Sequence, residues 1–181
     1  MPQKKTYSRI GFLVTAAVVM SIIVASLTLS VMAYIENQRF LHSANQIMQI
    51  VNMARTAARN QQGFAQTPGT DALAALRQTG QILPSTINDW DGMIRATVTA
   101  DGQLRMETDL PPHECRRLGL YFISVPPSGL GLTQIEARRG GAPGWTAIYP
   151  LAPNTDEDLE TAVETACGNG LSQLALIFRF H

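Results

Sequence analysis

Residues 12–62 read FLVTAAVVMSIIVASLTLSVMAYIENQRFLHSANQIMQIVNMARTAARNQQ, fifty-one residues with neither Gly nor Pro, bounded by Gly11 and Gly63. From Ile10 to Ile35 there is no charge. Wound as a helix, that uncharged part covers about 39 Å, more than the ~30 Å hydrocarbon core of a bilayer. From Glu36 onward the chain turns polar, yet Phe40, Ala44, Ile47, Val51, Ala54 and Ala58 recur at steps of four and three. Those steps are the helical period, so one face stays apolar. The stretch predicts a single helix about 75 Å long. Its transmembrane half is 12–35 and its exposed amphipathic half is 36–62. Anchoring alone requires no second half.

Charge divides the chain at the same place. Residues 1–62 hold Lys4, Lys5, Arg9, Arg39, Arg55 and Arg59 against the single acid Glu36, whereas 63–181 hold eight Arg against thirteen Asp and Glu. The total is zero, so nothing in it points to nucleic acid. The basic residues ahead of the apolar run keep the N-terminal tail in the cytoplasm by the positive-inside rule, and residues 63–181 are exported. An oxidising compartment favours a bridge between the only cysteines, Cys115 and Cys167; two unrelated buried thiols are the other reading. The apolar run exceeds a secretory h-region, and no small-x-small cleavage site follows it. The small residue that stands out is Gly11, on the cytoplasmic side.

These residues resemble the type IV pilins. The basic leader MPQKKTYSRIG (1–11), followed by Phe12 and the uncharged run, looks like a prepilin processing site. The resemblance implies that a prepilin peptidase cuts after Gly11 and that Phe12 is then methylated. LRQTGQILPSTINDWDG and ETACGNGLSQLALIFRF resemble segments of the type IVb subgroup, especially the thin-pilus pilins of conjugative plasmids. ETACGNGLSQLALIFRF is similar to that family's Cys–turn–final strand, closing a disulfide-bounded region with Cys115. Phe12, Leu13, Val14, Ala16, Phe40, Ala44, Ile47 and Val51 are then the helix-assembly residues. One position departs from the pattern: Ala16 stands where the family has a Glu that neutralises a neighbour's N-terminal amine. An unpaired ammonium in an apolar core costs several kcal/mol. The departure moves the expectation towards a minor or tip subunit, with a major subunit, another acid in the Glu's place and an uncut leader left open.

The exported part, 63–181, reads as alternating short elements. Thr70 caps a helix DALAALRQT that ends at Gly80, with Ala72, Leu73 and Leu76 facing the long helix. Met93–Thr99 and Gln103–Thr108 alternate around Asp101-Gly102, a hairpin signal. Pro111-Pro112 opens a helix carrying Cys115, and Leu132–Arg138 and 145–149 (WTAIY) make further strands. Thr155 to Asp158 fits a capping box for a helix to about Ala166. Ser172–Phe180 is the strongest strand pattern. The sum is an α+β class, a pilin-like roll in which the long helix packs on a meander-like antiparallel sheet with short flanking helices.

Residues with chemical potential are few. His113-Glu114-Cys115 lacks a second pair at zinc spacing, and the acids at 156–160 lack the Gly and alternation of a calcium loop. Gly129 to Gln134 holds one Gly-x-Gly and no following helix, and no nucleophile elbow is present. The doublets Arg116-Arg117 and Arg138-Arg139 read as a solvated face, or as partners for a neighbour's acids. No enzyme activity, no cofactor, no metal and no nucleic-acid partner is expected. The expected partners are other pilin subunits, prepilin peptidase and the inner membrane, with a periplasmic head and an extracellular filament after assembly. Alternatives are an uncleaved single-pass protein whose exported domain binds a partner or ligand, and a pseudopilin of a secretion system.

Overall fold

The computed structural model of the chain describes residues 4–60, 67–124, 131–150 and 158–180, with side chains from Phe12 onward. The chain divides into two compact units, 1–39 and 40–181. The elements in order are α1 (Lys4–Asn60), α2 (Ala72–Gln78), β1 (Ile94–Val98), β2 (Leu104–Leu110), α3 (Pro112–Ser124), β3 (Leu132–Arg139), β4 (Thr146–Tyr149), α4 (Leu159–Cys167) and β5 (Ser172–Phe178). A long N-terminal helix, a five-stranded antiparallel sheet and short helices make an α+β fold, as the sequence predicts.

The helix begins earlier than expected. Lys4 to Ile10 is already helical and Gly11 lies inside α1. A lone Gly costs a helix only about 1 kcal/mol, and nothing from Lys4 to Ile10 breaks one. In the first unit every residue from Phe12 to Arg39 is exposed. Ser21, Ser26 and Ser30 each return their hydroxyl to the carbonyl four residues back at 2.9 Å. Thr28 does the same towards Val24. Those bonds satisfy hydroxyls of the uncharged stretch within the helix itself, which suits an apolar solvent.

In the second unit the rest of α1 is buried along one face. Phe40, Ala44, Ile47, Ile50, Val51, Ala54 and Ala57 share one core with the inward residues of the sheet and of α2, α3 and α4. Within the sheet the order is β1-β2-β5-β3-β4, which corrects the meander. The last strand enters between β2 and β3, antiparallel to both. Its composition explains this. Leu174 to Phe178 are buried without alternation, so β5 has apolar residues for both faces and belongs in the centre. A polar-alternating strand such as β2 suits a sheet with one wet face.

Local signals set most termini. α2 is capped by Asp71, whose Oδ1 accepts the N–H of Leu73 at 2.9 Å and of Ala74 at 3.2 Å; the Thr70 hydroxyl instead donates to Thr67 O. At its far end Gly80, with φ of 78°, donates to Arg77 O while Gln81 N–H returns to Leu76 O. This is the paired bonding of a Schellman cap. Ala72, Leu73 and Leu76 are buried as expected. The hairpin closes with Thr99 N–H on Gln103 O and Gly102 at φ 67°. α4 is capped by Asp158, and Thr155 lies outside the described residues.

Candidate functional site

Fourteen side chains between Phe12 and Ile35 are Phe, Leu, Ile, Val or Met, and every one of them is largely exposed. Phe12 is 73 %, Leu13 65 % and Val14 58 % accessible. Fully removing such a side chain from water is worth about 1.5–3 kcal/mol, and with these a little over half exposed the set represents about 12–25 kcal/mol of transfer free energy. A whole domain is stable by only about 5–15 kcal/mol. The segment is thus a candidate membrane span by length and composition. From Phe12 on, α1 is long and apolar enough to cross a membrane.

The expected assembly residues fall into two groups. Phe12, Leu13, Val14 and Ala16 are exposed and available to an apolar partner. Phe40, Ala44, Ile47 and Val51 are not: each is buried in the core of its own head. The Phe40 ring meets Tyr121 edge-on at 5.4 Å and carries the Arg117 guanidinium 4.1 Å above it. An intersubunit role for these four is withdrawn, because the chain's own sheet and α3 have taken that face of the helix. The Gly11–Phe12 bond lies within α1, with no break between leader and span.

The cysteines are joined. Cys115, in the first turn of α3, is bonded to Cys167, the last residue of α4, across a Cα–Cα distance of 5.9 Å. Both are fully buried. Position explains the pairing: α3 and α4 pack together, and the bridge ties the end of α4 immediately before the turn into central β5.

A polar staple beside α1 is invisible in the composition. Asn88 is buried and its side chain makes four hydrogen bonds. Its Nδ2 donates to Thr108 Oγ1 and Asp109 O, both at 2.8 Å; its Oδ1 accepts from Trp90 N at 2.9 Å and Gly92 N at 2.8 Å. The next residue, Asp89, pairs with His42 Nδ1 at 2.8 Å, and its N–H donates to Ser43 Oγ at 3.2 Å. The segment NDWDG thus pins one loop to both α1 and β2. Its Asn, Trp and Gly were legible as a motif, but not their bonding.

The wet face of the sheet carries a second network. Arg105 on β2 donates to Glu107 and Glu136, each at 2.7 Å, and stacks 4.4 Å from the Trp145 ring. Burial by itself lowers the Arg105 pKa, and its hydrogen bonds and attraction to the two carboxylates outweigh this to leave it raised. Arg138 lies 4.8 Å from the same ring and bonds Gln173, which donates to Asp109 at 2.6 Å. The two Arg doublets prove to be occupied within the head. Arg116 pairs with Glu164 at 2.7 Å and Arg139 donates to Thr165 O at 2.9 Å. Among the described residues no three of His, Cys, Asp and Glu gather as metal ligands.

No family model, curated protein or solved structure matches this chain. A functional reading therefore rests on the geometry of the chain itself. Two features define the site: an uncharged helix with nothing covering it among the described residues, and a head whose own half of that helix is already buried.

Proposed function

We propose that this chain is a structural subunit of a type IV pilus-like filament, held by its apolar helix in a membrane before assembly. One observation carries the reading. α1 is a single helix whose residues 12–35 are uncharged and exposed, while its apolar face from Phe40 onward is buried in a disulfide-bounded head. Such a helix leaves lipid without penalty only if other apolar helices replace the lipid. Copies or relatives of the same subunit supply such helices, and van der Waals packing of small and branched side chains holds them together. The residues assigned to association are Phe12, Leu13, Val14 and Ala16 with the rest of the 12–35 face. Cys115 and Cys167 hold the head. The leader and Phe12 fit processing by a prepilin peptidase, and Ala16 in place of the family's Glu favours a minor or tip position.

Another reading has one observation in its favour: α1 passes through Gly11–Phe12 unbroken. An uncleaved single-pass protein with an exported partner-binding head needs no break there. The experiment that separates the two is expression of wild type and Gly11→Ala beside a prepilin peptidase and its assembly platform, followed by mechanical shearing. A pilin appears in the sheared fraction as wild type and is lost from it as Gly11→Ala. An anchored receptor stays with the membranes in both cases.

A further inference from the structure

Seven asparagines occur in the chain, and the structure singles out one of them. Asn37, Asn45, Asn52 and Asn60 lie in α1. Asn88 is buried with its amide fully engaged, and Asn154 lies outside the described residues. Asn169 differs from these. It is exposed, sits in the bend between α4 and β5, and precedes Gly170, which is also exposed. Among the described residues neither the Asn169 side chain nor the Gly170 N–H has a hydrogen-bond partner. A Cβ on Gly170 would meet nothing within 4 Å, so there is open space beside this peptide. Two Asp-Gly pairs offer a contrast: Gly92 is wedged 1.9 Å, measured from its would-be Cβ, from Asp109 O, and the Gly102 N–H is bonded to Thr99 O.

We propose that Asn169-Gly170 is a self-modification site, at which the folded head deamidates in water without an enzyme. The Gly170 nitrogen, having given its proton to a base in solution, attacks Cγ of Asn169. The bond from Cγ to the side-chain nitrogen breaks, and that nitrogen leaves as ammonia, taking its proton from water. The five-membered imide that remains adds one water at either carbonyl. Opening at one returns a normal Asp; opening at the other gives an isoaspartyl link with one extra backbone atom. Asparagine plus water becomes an acid plus ammonia, and no oxidant or reductant takes part.

The position gives the change a consequence. The new carboxylate stands just beyond the carbonyl end of α4, where a helix disfavours negative charge. Arg139 runs alongside, 2.8–3.0 Å from where a Gly168 Cβ would be, and caps that end through Thr165 O. The added acid competes for this guanidinium. The isoaspartyl form also stretches the segment that Ser172 Oγ brackets by bonding Cys167 O and Gly170 O, at the entry to the central strand.

The test is incubation of the full chain in detergent at mildly alkaline pH, with peptide mapping by mass spectrometry over time. The expected result is an acid at 169 in both Asp and isoaspartyl forms, accumulating faster as pH rises. Asn169→Gln removes it, and Gly170→Ala, which adds a methyl into open space but restricts the backbone, slows it. Asn169 remaining intact while another asparagine converts first would overturn the proposal. So would conversion only in urea, since the folded turn would then not present the reacting groups. Tryptophan fluorescence of each sample shows whether the head was folded throughout.

Discussion

Breaking the Cys115–Cys167 bond is expected to weaken the head by about 4 kcal/mol. The bridge joins residues 52 positions apart. On the chain-entropy relation, about 2.1 + 1.5R ln n in cal/mol/K, that loop gives about 14 cal/mol/K, or about 4 kcal/mol at room temperature. The lost stability corresponds to a fall of about 10–20 °C in melting temperature for a unit of this size. Trp90 and Trp145 are the chain's two tryptophans and both lie in the head, so their fluorescence follows its unfolding without the uncharged part of α1. Because both sulfurs are buried, reduction is carried out on unfolded chain and the protein refolded with reductant present. This keeps the atoms of the core and removes only the link. A Cys115→Ala/Cys167→Ala variant removes the sulfurs as well and is expected to lose about 1–2 kcal/mol more through the cavities left. A reduced wild type within about 1 kcal/mol of the oxidised protein would refute the reasoning, because the loop would then contribute nothing.

Gly92→Ala is expected to destabilise the head by about 3 kcal/mol or prevent its folding, since the new Cβ falls 1.9 Å from Asp109 O and 2.6 Å from Asn88 Nδ2; denaturant unfolding checks it. Gln46 is buried with its Oε1 unbonded among the described residues, so Gln46→Leu is expected to raise stability by about 1–2 kcal/mol in the same assay. A loss would mean that the amide has a structural role of its own. Val24→Arg, near the middle of the uncharged run, is expected to cost about 3 kcal/mol of membrane insertion. Alkaline extraction then releases more of the variant than of the wild type; equal retention would place residue 24 outside lipid.

Helices, hairpin and last strand were legible because their signals are local. α1 is written in periodicity, the β1–β2 turn in Asp101-Gly102, and α3 in Pro112. What the order of residues did not contain was the pairing of distant strands. β5 follows α4 in sequence but lies between β2 and β3, and only the apolarity of both its faces hinted at a central place. Competing caps were equally opaque: Thr70 and Asp71 are both good N-cap residues, and the choice falls to Asp71, which also bridges to Thr97 of β1. The site was read in part for a related reason. The apolar character of 12–35 is plain from its lack of charge, whereas periodicity marks Phe40, Ala44, Ile47 and Val51 as one apolar face without saying whether the chain's own core or a neighbour covers it, and the core does. The Arg doublets ended in intramolecular bonds because α4 and β5 brought Glu164, Thr165 and Gln173 within reach.

The most direct test is the identity of the first residue of the protein recovered from cells that also contain a prepilin peptidase. The account predicts Phe12, carrying an N-methyl group, with the eleven preceding residues gone. An intact chain still beginning at Met1, recovered as single copies in the membrane fraction, would contradict it.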